Sequence, residues 1–197
     1  DVNFDGYKDF YFTDYMGMVN SSKIVYLYNP TNEKFEINED YRSITSPHFD
    51  TNYQIIKSFN RGSTSHHESE NYIFLNNKLT RVSKTVEDKQ NNIYRYLIYD
   101  GDREVEINET LRKVKLYIAF FKTQKFNITI DLLENGKYRY VSWSASKNLR
   151  NKPDLILKNG LKKEIKNEIS FEFQKGDFKY LCTLNKLTND GHLKVFQ

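Results

Sequence analysis

Apolar and polar residues alternate over short runs of this chain, which is the pattern of β-strands with one buried face. The alternation is clearest over residues 126–132 and 138–143, and the Asn135-Gly136 pair between them is typical of a hairpin turn. Further strands are predicted over residues 10–15, 23–28, 34–37, 53–59, 71–75, 78–84, 93–99, 111–121, 155–157, 169–173, 178–184 and 192–196. No long amphipathic helix is indicated. The sequence therefore predicts an all-β chain built of antiparallel hairpins and meanders.

Turn-forming residues separate the predicted strands. Turns are expected at residues 29–32, 76–77, 100–102, 159–160 and 175–177. Residues 44–50 are expected to form a polar connection. Between residues 60 and 70 almost every side chain is polar, so this segment is expected to form an exposed tip. Periodicity leaves residues 111–121 open between helix and strand, and their β-branched and aromatic content favours strand.

Composition supports a folded chain with a substantial core. The 197 residues include 15 Tyr and 14 Phe but only 3 Pro and 8 Gly, which argues against disorder. No run is long and apolar enough to span a membrane. Charge changes along the chain, because residues 1–111 carry a net charge of −6 and residues 112–197 one of +10. We therefore predict two antiparallel β modules, an acidic one over residues 1–107 and a basic one over residues 108–197.

The opening nonapeptide carries the clearest chemical signal. Oxygen-bearing side chains stand at its positions one, three, five and nine, and Gly6 supplies the sharp turn that such loops need. Hard oxygen ligands suit a hard cation, and clustered carboxylates repel one another without one. The sequence therefore predicts a Ca²⁺ site. Its predicted ligands are the side chains of Asp1, Asn3, Asp5 and Asp9 and the backbone carbonyl of Tyr7.

This loop is not an EF-hand. Position twelve, where an EF-hand has a bidentate Glu, is Phe12, and the aromatic residues around it predict a strand rather than a helix after the loop. Asp9 would then complete the ligand shell. The alternative interpretation is a polar Asx turn that holds no metal.

Two further features bear on the cellular compartment. The chain opens in the middle of a motif and without Met, which indicates processing, so an export signal or a lipid-anchor Cys would lie upstream. Its single cysteine, Cys182, lies in a predicted strand, where packing in the core is the expected role. We expect a periplasmic, cell-surface or secreted location.

The first half resembles a family of exported bacterial proteins that carry a single FG-GAP-like calcium loop and are related to periplasmic lysozyme inhibitors. The resemblance is carried by residues 1–9, Tyr28-Asn29-Pro30, Lys34-Phe35, Phe49-Asp50, Tyr72 and Asn77-Lys78-Leu79. In the inhibitor members a Ser-Gly loop enters the lysozyme cleft, and here Arg61 stands where Ser would precede Gly62. The resemblance implies a partner-binding loop formed by Arg61, Gly62, Ser63, Thr64, Ser65 and His66. The second half looks like an accessory β module of bacterial surface proteins.

Other candidate sites have plainer interpretations. The run His66-His67-Glu68 could bind a transition metal, but adjacent histidines on a strand point to opposite faces. Asp100-Gly101-Asp102 could be part of a cation site, but without further spaced oxygens a hairpin turn is the favoured interpretation. The interleaved Tyr, Trp and Lys of the second half could contact nucleic acid, yet scattered Lys is usually a solvated face.

The sequence thus predicts an exported, non-enzymatic calcium-binding protein that binds a macromolecular partner, with a lysozyme as the candidate. The four histidines have no Ser or Cys partner in a catalytic motif, which disfavours a nucleophilic enzyme. One alternative is an envelope-associated module that binds glycans or polyanions through the basic half, with Trp143 and Tyr140 stacking on sugar rings. Another is a hydrolase with an unrecognised carboxylate site.

Overall fold

A computed structural model of the chain describes residues 1–75, 78–111, 114–188 and 190–197. The turn predicted at residues 76–77 lies outside the described residues. The chain is all-β, as predicted, and its strands pair in antiparallel order between neighbours in sequence. It divides into two compact units, residues 1–94 and 95–197. The division into modules at residues 107 and 108 stays a prediction.

The first unit contains two groups of strands. Strands β1, β2 and β3, which span Phe10–Met16, Ser21–Asn29 and Lys34–Asn38, form a three-stranded sheet in that order. A 3₁₀ turn at Glu39–Ser43 follows. The second group pairs consecutively and consists of β4 His48–Asp50, β5 Ile55–Arg61, β6 His66–Leu75 and β7 Lys78–Asp88.

Both groups of strands contribute to the core of the first unit. Val25 of β2 and Ile56 of β5 pack with Val2, Tyr41 and Ile44, and all five are at most 5% exposed. The Tyr41 ring lies 6.2 Å from that of Phe74 on β6. The 3₁₀ turn therefore places a large aromatic side chain in the middle of this core.

The second unit is a long antiparallel meander. A hairpin of β8 Ile93–Asp100, which begins at the unit boundary, and β9 Arg103–Glu106 comes first, followed by a short 3₁₀ turn at Glu109–Leu111. A seven-stranded sheet then runs in sequence order. Its strands are β10 Leu116–Lys122, β11 Phe126–Leu132, β12 Tyr138–Ser144, β13 Leu155–Ile165, β14 Glu168–Lys175, β15 Phe178–Asn185 and β16 Gly191–Phe196.

The seven-stranded sheet curls until its first and last strands touch. A Cβ on Gly191 of β16 would lie 2.1 Å from the Phe121 ring of β10, so this ring rests directly on the glycine backbone. The buried side chains include Ile128, Ile130, Phe171 and Cys182. Cys182 lies in the strand core as predicted, and burial raises the pKa of its thiol to about 12.

The turn predicted at residues 159–160 is wrong. Asn159 and Gly160 lie inside β13, whose first part pairs with β12 and whose second part pairs with β14. Asn159 adopts a φ of 63° where the register shifts. An Asn-Gly pair can form a bulge as readily as a hairpin turn, because both require a residue with positive φ.

Local boundaries also differ from the predictions. The polar tip is shorter than expected, since β6 begins at His66 and pairs with β5. The connection predicted over residues 44–50 contains the short strand β4. Over the residues that the structure describes, no helix has the length and apolarity to cross a membrane.

Candidate functional site

The opening loop, residues 1–9, is anchored in the core through its even positions. Val2 is only 5% exposed, and its carbonyl accepts a hydrogen bond of 2.8 Å from the buried Tyr41 hydroxyl. Phe4 packs against the same core. The alternation of polar and apolar residues in the loop thus places Val2 and Phe4 against the core and separates them from the polar side chains at the odd-numbered positions.

The odd positions Asp1, Asn3 and Asp5 lie close together. Asp1 accepts hydrogen bonds from the backbone amides of Asp5, at 3.2 Å, and Gly6, at 2.8 Å. The Asn3 amide donates to Asp5 Oδ2 at 2.8 Å. Three of the predicted ligands therefore meet in one exposed turn.

The turn depends on two residues with positive φ. Phe4 has a φ of 65° and Gly6 one of 96°. A Cβ on Gly6 would meet nothing within 4 Å, so glycine is required here for its backbone conformation and not for space. The Tyr7 amide then donates to Asp5 Oδ1 at 2.9 Å, which closes an Asx turn.

Asp9 joins the loop to the sheet. Its carboxylate accepts a hydrogen bond from the Val2 amide at 2.8 Å and another from the Tyr28 amide of β2 at 2.9 Å. Burial, together with the charges of Asp9 and Asp40, raises the pKa of the Tyr41 hydroxyl, which therefore stays a hydrogen-bond donor. Asp9 thus fixes both ends of the loop relative to β2.

The donor set fits a hard cation. Each carboxylate oxygen that accepts one amide hydrogen keeps further lone pairs, so Asp1 and Asp5 can still bind a metal ion. Within the described ranges, no group of three or more His, Cys, Asp or Glu side chains is arranged to hold a metal ion. The loop itself brings together two carboxylates and the amide of Asn3, so a bound Ca²⁺ also needs carbonyl or water oxygens. Ligation of Ca²⁺ by Asp1, Asn3, Asp5, Asp9 and the Tyr7 carbonyl stays a prediction.

The predicted partner-binding segment forms the turn between β5 and β6, which we call the 61–66 tip. Arg61, Gly62, Ser63 and Thr64 are exposed, and Ser65 and His66 are half-buried. The tip is internally bonded, because the Gly62 amide donates to the His66 carbonyl at 3.1 Å and Ser63 Oγ accepts from the His66 amide at 2.9 Å.

The tip is also held by a neighbouring hairpin. Asn20, which follows the turn after β1, accepts a hydrogen bond from the Arg61 amide at 3.0 Å and donates to the Arg61 carbonyl at 3.2 Å. Its side chain also donates to Asn60 Oδ1. The tip is therefore an exposed segment with a fixed backbone. Sequence reasoning missed Asn20, which is 41 residues from Arg61 in sequence.

The adjacent histidines do not converge. His66 lies 3.5 Å from Glu68, whereas His67 lies 3.6 Å from Glu87, so each ring pairs with a different acid. The Asp100-Gly101-Asp102 segment is the turn between β8 and β9, with Gly101 at a φ of 61°. The hairpin turn predicted at residues 100–102 is confirmed, whereas His66 and His67 lie on strand β6 and each stands beside a different acid.

Two aromatic residues assigned to sugar stacking are inaccessible. Trp143 and Tyr140 are 0% and 1% exposed, and the Trp143 indole donates to the Asn151 carbonyl at 2.9 Å. The expectation that these rings stack on sugars is wrong, because strand β12 is buried on both faces.

Sequence reasoning also missed a cluster of exposed aromatic side chains on the outward face of the β1–β2–β3 sheet. Phe10 stacks on Tyr26 at 4.8 Å and contacts Phe35 at 4.7 Å, and Tyr28 packs against Tyr7 at 5.5 Å. We call this surface the aromatic face. Its members are Tyr7, Phe10, Phe12, Tyr15, Ile24, Tyr26, Tyr28, Phe35 and Ile37. The sequence signal for this surface was the uninterrupted run Ile24-Val25-Tyr26-Leu27-Tyr28, which gives β2 apolar side chains on both of its faces.

Comparison of the chain with models of known protein families, with curated proteins and with solved structures found no match. The resemblance to single-calcium-loop proteins therefore rests on the sequence motifs alone.

Proposed function

We propose that the first unit is a calcium-stabilised β module of an exported, non-enzymatic protein that binds another macromolecule through the 61–66 tip. The observation that carries the proposal is the opening loop. Asp1, Asn3 and Asp5 present oxygens in one turn while Val2 and Phe4 hold the same turn in the core. Oxygen ligands at this spacing favour Ca²⁺ over softer metals.

In this arrangement, bound Ca²⁺ would raise the stability of the folded first unit. Asp1 and Asp5 are negatively charged neighbours whose mutual repulsion opposes the turn, and a bound cation converts that repulsion into attraction. Any ligand that binds only the folded state raises its stability. Asp9 accepts a hydrogen bond from the Tyr28 amide of β2. A more rigid loop would therefore also stabilise this end of β2 in the β1–β2–β3 sheet.

The 61–66 tip supports partner binding because it is exposed and already ordered. A segment whose backbone is fixed before association loses little conformational entropy when it binds. The hydrogen bonds from Asn20 and within the tip supply that order. Residues 1–94 hold 10 Lys and Arg against 13 Asp and Glu, so the unit as a whole attracts a cationic partner such as a lysozyme.

The test is inhibition of a cationic lysozyme by the full chain. Thr64→Arg adds bulk and positive charge at the exposed centre of the tip, and we expect it to raise the inhibition constant at least about tenfold. Thr188→Arg places the same change in an exposed turn of the second unit and serves as the matched control. Chelation of calcium should weaken inhibition for the unmodified chain.

Absence of inhibition, or equal inhibition by the Thr64→Arg and unmodified chains, would contradict the assignment of the tip as the lysozyme contact. Far-ultraviolet circular dichroism of each variant separates a loss of contact from a loss of fold.

A further inference from the structure

The aromatic face is exposed although it belongs to a three-stranded sheet whose other face packs on the core. Six of its members expose between 38% and 62% of their surface. These six are Tyr7, Phe10, Phe12, Tyr15, Phe35 and Ile37. The opposite face of the same strands is different, because Val25 is fully buried and Tyr11 packs on Phe49 at 5.3 Å. The sheet thus has two apolar faces, and one of them is left open by the described residues of its own unit.

The paired positions of the aromatic face carry no charge, and the one acid of β1, Asp14, lies at the register shift between Thr13 and Tyr15. At the outward positions paired across β1, β2 and β3, all of which the structure describes, no side chain is charged and Ser22 is the polar member. Nucleic acid needs Lys and Arg at its contact surface, and sugars need several polar groups around a stacking ring. The chemistry of this face therefore fits another apolar protein surface.

The area of the aromatic face suits a dimer. With about 200 Å² for a large side chain, the six most open residues offer roughly 600 Å². Two such faces bury roughly 1,200 Å², and the partly exposed Ile24, Tyr26 and Tyr28 add to this, which reaches the size of a specific interface. Monomeric proteins rarely leave an apolar patch of this size open.

We propose that two copies of this chain associate through their aromatic faces, packed sheet on sheet. A two-fold symmetric interface requires a surface that is complementary to itself, and an aromatic face with no charge at its paired positions meets that condition. The aromatic face contains no residue of the 61–66 tip, so this association is separate from the proposed partner contact.

Sedimentation equilibrium of the full chain, over a wide range of protein concentration, tests the proposal. We expect a reversible dimer, and we expect Phe12→Arg to weaken it at least about tenfold, because each copy would bury an unpaired charge in the interface. Phe12 is 58% exposed, so its replacement leaves the core intact. Tyr15→Arg, at a residue that is 62% exposed, is the second variant.

Leu161→Arg is the matched control, since Leu161 is also 62% exposed but lies on β13 of the second unit. It should leave the dimer unchanged. A chain that is monomeric at every concentration overturns the proposal, and so does a dimer that both Phe12→Arg and Tyr15→Arg leave intact. A monomer that floats with zwitterionic lipid vesicles would assign the face to a membrane surface instead and would equally overturn it.

Discussion

Asp131 and Arg139 form an ion pair inside the second unit. Arg139 donates to Asp131 Oδ2 at 2.7 Å and to the Leu111 carbonyl at 2.8 Å, and both side chains are at most 7% exposed. Among the described residues, Asp131 Oδ1 has no hydrogen-bond partner. Burial raises the pKa of the Asp131 carboxyl, and the charge of Arg139 opposes that rise. Each of the two charges is therefore stable in the core only while its partner is present.

We predict that Arg139→Met destabilises the chain by about 3–5 kcal/mol, because the substitution leaves an unpaired carboxylate in the core. The double variant Arg139→Met with Asp131→Leu should recover most of that loss. Urea unfolding of the single and double variants measures both values. If the double variant were no more stable than Arg139→Met, the account of the ion pair would be wrong.

At the residue scale the sequence predicts local chemistry better than distant contacts. The spacing of Asp1, Asn3 and Asp5 was sufficient to predict that they meet, because all three lie within one turn. The clamp from Asn20 to Arg61 joins two separate hairpins. Nothing in the local pattern of either segment specifies that contact.

At the scale of the element, β13 shows how one glycine shapes a strand. A Cβ on Gly160 would lie 2.3 Å from the Phe173 ring of β14, at the point where β13 changes its pairing partner. The close approach of the ring, and not a turn, explains why glycine stands there.

We predict that Gly160→Ala destabilises the chain by about 1–3 kcal/mol through overpacking of a buried ring. Gly176→Ala is the informative comparison, because its Cβ would meet nothing within 4 Å and its cost arises only from a φ of 59°. Thermal unfolding measures both, and Gly160→Ala combined with Phe173→Leu should regain stability. Lack of any rescue by Phe173→Leu would show that the contact is not the cause.

Most hairpins were predictable because each pairs strands that are neighbours in sequence. The Asn-Gly rule worked at residues 135–136 and not at 159–160, since the same dipeptide serves a turn or a bulge. The dipeptide forms a hairpin turn when its two flanking segments can pair with each other, and a bulge when they cannot. At residue 160 each flank pairs with a different strand, which is a property of the whole sheet.

At the scale of the whole molecule, the sequence predicted the all-β class but not the aromatic face. Aromatic residues in alternating strands are usually assigned to a core, and here Phe10, Phe12 and Phe35 lie on the open side of a sheet. Whether such a face is covered depends on a second layer of structure packed against the sheet. The residue pattern of a single strand does not predict whether that layer is present. The opening loop and the aromatic face adjoin through Tyr7, whose ring contacts Tyr28 while its backbone amide donates to Asp5.

The most direct test of the account is a calcium titration of the full chain followed by amide nuclear magnetic resonance at Gly6, whose N–H bonds Asp1 Oδ2. We predict a saturable shift with one Ca²⁺ per chain and a dissociation constant on the order of a millimolar or tighter. Asp5→Asn, which keeps an acceptor for the Tyr7 amide, should weaken binding at least about tenfold, because it removes one of the few carboxylates. Asp177→Asn in the second unit should leave it unchanged. A Gly6 amide that stays fixed at saturating calcium, or an Asp5→Asn chain that binds as tightly as the unmodified one, would contradict the claim that the opening loop holds the ion.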